Sequence, residues 1–215
     1  MKLRIAAYFI IAFLGIILFQ GGYARAETTA YVRWVDDGDT IVLADGRRIR
    51  YIGINTPEIG NADKKPELLG PEAKNFNKQM VFQTYVRLEF DKERIDHYGR
   101  NLAYIFGPAD IFINKEILHR GYGHYLYRYP NIRYHAILLE AQQSAMKAEK
   151  GIWRDWKETE GHYIGHKGSR RFHMDNCPLA QNISPENRIY FTKRWDAFWQ
   201  GYAPAKNCLP GGLSQ

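Results

Sequence analysis

The sequence predicts an α+β fold: a five-stranded β-barrel carrying three helices, followed by a small C-terminal α/β module. Three observations lead there. From Thr29 to Phe106 apolar residues recur with the period of strands, in short β-branched and aromatic runs divided by Asp-Gly turns. After Gly107 the period becomes helical. A polar stretch, "RDWKETEG" at 154–161, then reads as a linker to residues 162–215, which hold both cysteines.

The elements follow in order. "AYVRWV", "TIVL" and "RRIRYIGI" are the first three strands, and Asp45-Gly46 between the last two is a hairpin signal. A helix is expected over "GPEAKNFNKQM". Pro71 suits the first helical position, Glu72 complements the positive helix end, and Ala73, Phe76 and Met80 are spaced to face inward. "YVRLEFD" and "RNLAYIF" complete five strands. "INKEILHRG" is a short helix closed by Gly121. "RYHAILLEAQQSAMKAEKG" is a longer one, with Tyr134, Leu138, Ala141, Ala145 and Ala148 on its core face. In the C-terminal module Thr192 is the expected cap of the helix "KRWDAFWQ", which stops at Gly201. Short strands with interleaved helices resemble an OB-fold-like Greek-key barrel, an architecture that binds oligonucleotides, although fold alone assigns no chemistry.

The N-terminus reads differently. Lys2 and Arg4 precede the apolar run "IAAYFIIAFLGIILF", and Ala24-Arg25-Ala26 is a small-x-small triplet. This is the pattern of a secretory signal peptide over residues 1–26, cut after Ala26. An uncleaved anchor formed by residues 5–22 is the alternative, although the apolar run is short for a spanning helix. Either way residues 27–153, the barrel region, leave the cytoplasm, for secretion or the periplasm. The net charge is +7, and removing the three basic residues of positions 1–26 leaves +4. That excess is compatible with a polyanionic partner without demanding one. A hydrophobic content of 45% places the chain among packed proteins and excludes a disordered one. In an oxidising compartment the pair Cys177 and Cys208 is expected to form a disulfide.

Chemistry concentrates in three places. "VDDGDTIVL" crowds Asp36, Asp37 and Asp39 around a glycine turn. Asp39 lies past the glycine and beside Thr40, where a carboxylate suits a hard cation that takes oxygen ligands. "RRIRYIGI" and "DHYGRNLAYIF" supply Arg50 and Arg100, whose planar forks match phosphate oxygens. "YIGINTPEIG" supplies Glu58 just past a proline turn. Arginines and a cation to neutralise phosphate charge, with an acid to activate water, would suit phosphodiester hydrolysis.

The ordered set "VDDGDTIVL", "RYIGINTPE", "GPEAKNF", "EFDKERIDHYGRNLAYIF" and "INKEILHRGYGHYLYRY" resembles the staphylococcal (thermo)nuclease family over residues 31–153. The resemblance implies a calcium-dependent phosphodiesterase on a five-stranded barrel with three helices. Such an enzyme cuts DNA and RNA at the bond to the 5′-oxygen and leaves 3′-phosphate ends. Carried over by position, Asp39, Asn55 and the Thr56 carbonyl would be calcium ligands, Glu58 the general base, and Arg50 and Arg100 the phosphate-binding pair. Thr40 would support the metal's water shell, and Tyr127 would lie near the nucleotide. Lys64 and Lys65, in "EIGNADKKPELLG", would meet the substrate or remain solvated. Asn55 departs from the family, which has a carboxylate there, and the lost charge is expected to weaken calcium binding.

The segment "FHMDNCPLAQNISPENRIYFTKRWDAFWQGYAPAKNC" loosely resembles the small metal-binding module related to the N-terminal domain of the Ada repair protein. That pattern ends in Pro-Cys-x-x-Cys, and here Ala205 replaces one ligand. His173, Cys177 and Cys208 remain for zinc, with His162 and His166 as further candidates, so a disulfide is the favoured reading. The leading expectation is therefore an exported, monomeric nuclease acting on single-stranded or melted DNA and RNA, with no small-molecule cofactor. The alternatives are a catalytically weak or inactive nucleic-acid-binding barrel and a membrane-tethered protein whose tail recruits a partner. A pure binder has no need of Asp39, Arg50, Glu58 and Arg100 together.

Overall fold

The computed structural model describes residues 27–158, 161–206 and 208–209. The expected signal peptide and the alternative anchor at 5–22 lie outside the described residues. No helix among the described residues is long and apolar enough to cross a membrane.

The predicted barrel is present and closed. Strands β1 (Glu27–Val35), β2 (Thr40–Leu43) and β3 (Arg48–Tyr51) run antiparallel in sequence order. The chain then forms β4 (Ile54–Asn55), α1 (Gly70–Val81), β5 (Tyr85–Glu89) and β6 (Asn101–Phe106). Strand β6 lies parallel to β3, and β5 pairs with both β6 and β1. Closure satisfies the edge hydrogen bonds that an open sheet would leave bare. Ile41, Leu43, Ile49, Leu88 and Ile105 fill the interior and are fully buried. A bulge in β1 between Val32 and Trp34 changes the alternation, so Val32 and Val35 both face inward while Trp34 stays half exposed. The third expected strand, 47–54, breaks after Tyr51 at a turn centred on Gly53. Its last residues become β4, which pairs with β7 (His124–Tyr125).

Helix α1 starts as Pro71 and Glu72 predict, but its buried stripe is Ala73, Asn77 and Val81, with Phe76 and Met80 only flanking it. Asn77 is drawn inward by hydrogen bonding. It accepts from the Tyr51 hydroxyl (2.8 Å) and donates to the Asp37 carbonyl (3.0 Å), which ties the helix to the Asp-Gly loop. Helix α2 (Ile113–His119) ends before Gly121 as expected, and its buried Asn114 bridges Ile105 N–H and the Ile52 carbonyl. Helix α3 (His135–Lys147) buries Leu138, Ala141 and Ala145, whereas Ala148 lies past its end and is exposed. Gln142 and Met146 complete that face instead.

The C-terminal segment forms β8 (Tyr163–His166), β9 (Arg171–Met174), α4 (Pro178–Gln181), β10 (Arg188–Phe191), α5 (Arg194–Trp199) and β11 (Ala203–Pro204). Its sheet has the order β10-β8-β9-β11, with β11 parallel to β9. It shares a core with the barrel's last helix, where Ala145, Met146 and Trp153 pack with Phe172, Ala197 and Phe198. Gln142 fastens the two further, accepting from Tyr125 N–H and donating to the Phe198 carbonyl, each at 2.6 Å. The connecting segment is packed as well, with Trp156 set against Trp153, Trp195 and Phe198. Thr192 does not cap α5. Glu158 does, accepting from Arg194 N–H (2.9 Å) and Trp195 N–H (3.1 Å). Cys177 and Cys208 are joined across 31 residues, a cross-link worth about 4 kcal/mol in the chain-entropy account.

His124 gives this packing a pH signature. Burial pushes its imidazole down to about 3 from an ordinary 6.5, helped by the charges of Arg171, Arg50 and Lys206. Between those values the unfolded chain binds a proton that the folded chain does not. Stability therefore falls as pH drops below about 6.5, and the loss is complete near 3. We expect the urea midpoint of His124→Leu to fall less than that of the wild type between about pH 7 and pH 5. Equal falls would contradict this assignment.

Candidate active site

The site begins with the loop between β1 and β2. Asp37 Oδ1 accepts from Asp39 N–H (2.9 Å), which tightens the turn. Gly38 is required there, because a Cβ would lie 2.7 Å from Thr56 Oγ1 and 2.8 Å from the Ala73 Cβ. The turn delivers Asp39 to a buried position where four groups donate to it. Oδ2 receives Thr56 N–H (2.9 Å), Thr56 Oγ1 (3.2 Å) and Arg50 Nη2 (3.1 Å), and Oδ1 receives Thr40 Oγ1 (3.2 Å).

Arg50 stands on β3 directly across from Thr40. Its Nη1 donates to the Tyr51 carbonyl (2.7 Å) and its Nη2 to Asn55 Oδ1 (3.1 Å). One guanidinium nitrogen is thus the cation shared by Asp39 and Asn55. Burial, then the negative charge of Asp39, pushes the Asp37 carboxyl up to about 7, against the opposing pull of Arg50. Two carboxylates, an amide oxygen and the Thr56 carbonyl crowd this wall, and one arginine supplies the positive charge. An all-oxygen donor set anchored by the Asp39 carboxylate fits a hard divalent cation.

Arg100 forms the opposite wall, just after the Tyr98-Gly99 turn. Buried Asp96 grips it, accepting from its backbone N–H (2.9 Å), from Nε (2.9 Å) and from Nη2 (2.8 Å). Burial works against ionisation of Asp96, but these bonds and the arginine charge prevail and hold its carboxyl below the usual carboxylate range. The guanidinium also lies 5.4 Å from the Tyr98 ring centroid.

Glu58 completes the cleft from the loop after β4. Its backbone is clamped, since its N–H donates to Glu67 Oε2 (3.0 Å) and a Cβ on Gly70 would fall 2.3 Å from its carbonyl oxygen. Its exposed carboxylate pairs with Lys206 Nζ at 3.2 Å, a residue of the C-terminal segment. The enclosed space is about 280 Å³.

Asp39, Arg50, Asn55, Thr56, Glu58 and Arg100 all line this one cleft. Thr40 stands behind it as a donor to Asp39. Lys64 and Lys65 line a neighbouring cavity that also reaches Glu58. Tyr127 is not among the cleft residues, and its ring lies beneath the Arg170 guanidinium and edge-on to His135. The structure adds Asp37, Tyr98, Arg128 and Lys206 to the lining. Tyr98 was legible beside the Tyr-Gly turn. Lys206 was not, because 148 residues separate it from Glu58.

In the C-terminal segment His173 Nδ1 lies 3.1 Å from Cys208 Sγ and 4.0 Å from Cys177 Sγ. No fourth His, Cys, Asp or Glu joins these three among the described residues. His166 Nδ1 instead accepts from the Gly168 and Ser169 N–H groups.

The staphylococcal nuclease homologue family matches residues 48–155. The chain is 37% identical to the thermonuclease of Staphylococcus hyicus over 133 residues, 60% of this chain and 78% of that protein. It is also 37% identical to the thermonuclease of Staphylococcus intermedius over 151 residues, 64% and 89% of the two chains. Endonuclease YncB of Bacillus subtilis (strain 168) is 31% identical over 137 residues, 61% of this chain and 62% of that protein. The chain belongs to the staphylococcal nuclease homologue family.

Proposed function

We propose that this chain is an exported, calcium-dependent endonuclease that cuts DNA and RNA at the bond to the 5′-oxygen and leaves 3′-phosphate ends. At the level of reaction class it is a phosphodiesterase, a hydrolase of the nuclease type, in keeping with its family and its thermonuclease and endonuclease relatives. The observation that carries the fuller reading is the convergence of Asp39, Arg50, Glu58 and Arg100, from four separate segments, on one cleft.

Each residue has a task that its position suits. Arg50 and Arg100 bind the non-bridging phosphate oxygens, whose charge grows as phosphorus becomes pentacovalent. Asp96 keeps the Arg100 fork oriented. The Glu58 carboxylate, exposed at the cleft edge, takes a proton from the attacking water as the new P–O bond forms, and the bond to the 5′-oxygen breaks with that oxygen taking a proton from solvent. Asp39, Asn55 and the Thr56 carbonyl would hold calcium, which supplies positive charge beside the phosphate. A cleft of about 280 Å³ suits one strand better than a duplex, which supports single-stranded or locally melted substrates. Export rests on the basic, apolar and small-residue run of positions 1–26, and the Cys177–Cys208 bridge suits an oxidising compartment.

Two outcomes test this reading. The purified protein should digest denatured DNA with calcium and lose that activity in a chelator, and Glu58→Gln should lose about a hundredfold or more in kcat. Calcium-independent cutting, or full activity in the variant, would sink the mechanism. Isothermal titration should show Asn55→Asp binding calcium roughly tenfold more tightly than the wild type, because it restores an anionic ligand. Equal or weaker binding would remove Asn55 from the metal site.

A further inference from the structure

Beside the cleft lies a second cavity, of about 620 Å³, that the barrel and the C-terminal segment build together. The barrel contributes the acids Glu58 and Glu67 with His124, Lys64 and Lys65, and the C-terminal segment contributes Arg171 and Lys206. Two side-chain nitrogens here are buried without a hydrogen-bond partner, Nη1 of half-buried Arg171 and Nδ1 of buried His124. Among the described residues, no carboxylate is among the charges acting on Arg171. Burial, then the like charge of Arg128, holds its guanidinium below the usual arginine range, against the opposing pull of Tyr125. A buried cation lacking a counter-ion is costly unless a ligand provides one. The neutral imidazole of His124 can present Nδ1 as an N–H donor to the same ligand.

Lys206 joins this cavity to the cleft, since it lines both. Its position is built in from two sides. It follows β11, whose Ala203 pairs with Arg171 on β9, and it precedes the bridged Cys208 by two residues. Its pair with Glu58 is exposed on both sides, so it is weak and readily exchanged for another anion.

We propose that this cavity is a second phosphate subsite of the polynucleotide cleft, in which Arg171 and Lys206 bind a backbone phosphate flanking the scissile one. The proposal rests on the nuclease reading above. Occupation of the subsite draws Lys206 from Glu58 to the phosphate and so releases the general base when a long substrate is seated. The C-terminal segment then sets preference for chain length.

The test compares Lys206→Ala with the wild type on a substrate containing a single phosphodiester and on an oligodeoxythymidylate of about eight nucleotides. The ratio of kcat/KM for long over short substrate should drop about tenfold in the variant, through a higher KM on the long substrate and a higher kcat on the short one. Binding of the labelled oligonucleotide in a chelator, followed by anisotropy, should weaken, with the salt slope shallower by about 0.7. Arg171→Gln should act in the same direction, and if it does not fold the exposed Lys206 still decides. Equal losses on both substrates, or unchanged oligonucleotide binding, would overturn the subsite. Lys206-dependent binding by a wild-type protein that cuts neither substrate would leave the subsite standing and defeat the nuclease reading instead.

Discussion

The buried carboxylate of Asp39 is the interaction on which the rest of the structure depends. Its two oxygens gather donors from β2, from β3 and from the segment after β4, closing the mouth of the barrel at one point. Removing it would strand the Arg50 guanidinium and the Thr56 N–H in a low-dielectric setting, and breaking such a buried pair costs about 3–5 kcal/mol. The same oxygens are the strongest candidates for holding a cation. On the proposed reading stability and cation binding draw on one group, so the site cannot be altered at Asp39 without loosening the fold.

Around that anchor the burden is divided by rigidity. Arg50 and Arg100 sit on or beside strands of the closed sheet and are held by Tyr51, Asn55 and Asp96. Glu58 comes from a loop, yet Glu67 and the close approach of Gly70 fix its backbone and leave only the carboxylate free to exchange partners. The C-terminal segment reaches this loop because Gln142, the shared aromatic core and the Glu158 cap seat it firmly on α3. The far end of the chain therefore meets the cleft through packing, with Lys206 as its contact.

Much of this was legible in the sequence, and the reasons are local. Asp45-Gly46, Pro71 and Gly121 mark turns and helix ends through their own backbone preferences, and the structure has those boundaries where they predict. Asp39, Arg50, Glu58 and Arg100 each sit within a few residues of a turn whose chemistry is written in its neighbours, whereas Asn55 takes its place only from the family resemblance. What escaped was decided by distant partners. Asn77 and Gln142 are polar residues drawn into the core by hydrogen bonds across long separations, at the expense of the expected inward set of Phe76, Met80 and Ala148. The β1 bulge and the Glu158 cap likewise depend on pairing that no short window contains. Arg171 and Lys206 carry no motif at all, and only the folded C-terminal segment gives them a place beside Glu58.

The central claim is that the Asp39 wall holds a divalent cation for a phosphodiester-cleaving site. Thermal denaturation of the wild type and of Asp39→Asn, each with calcium and with a chelator, tests it most directly. The account predicts that calcium raises the Tm of the wild type and leaves that of Asp39→Asn where the chelator puts it. An equal calcium-dependent rise in both proteins would show that the cation binds elsewhere and would contradict the account.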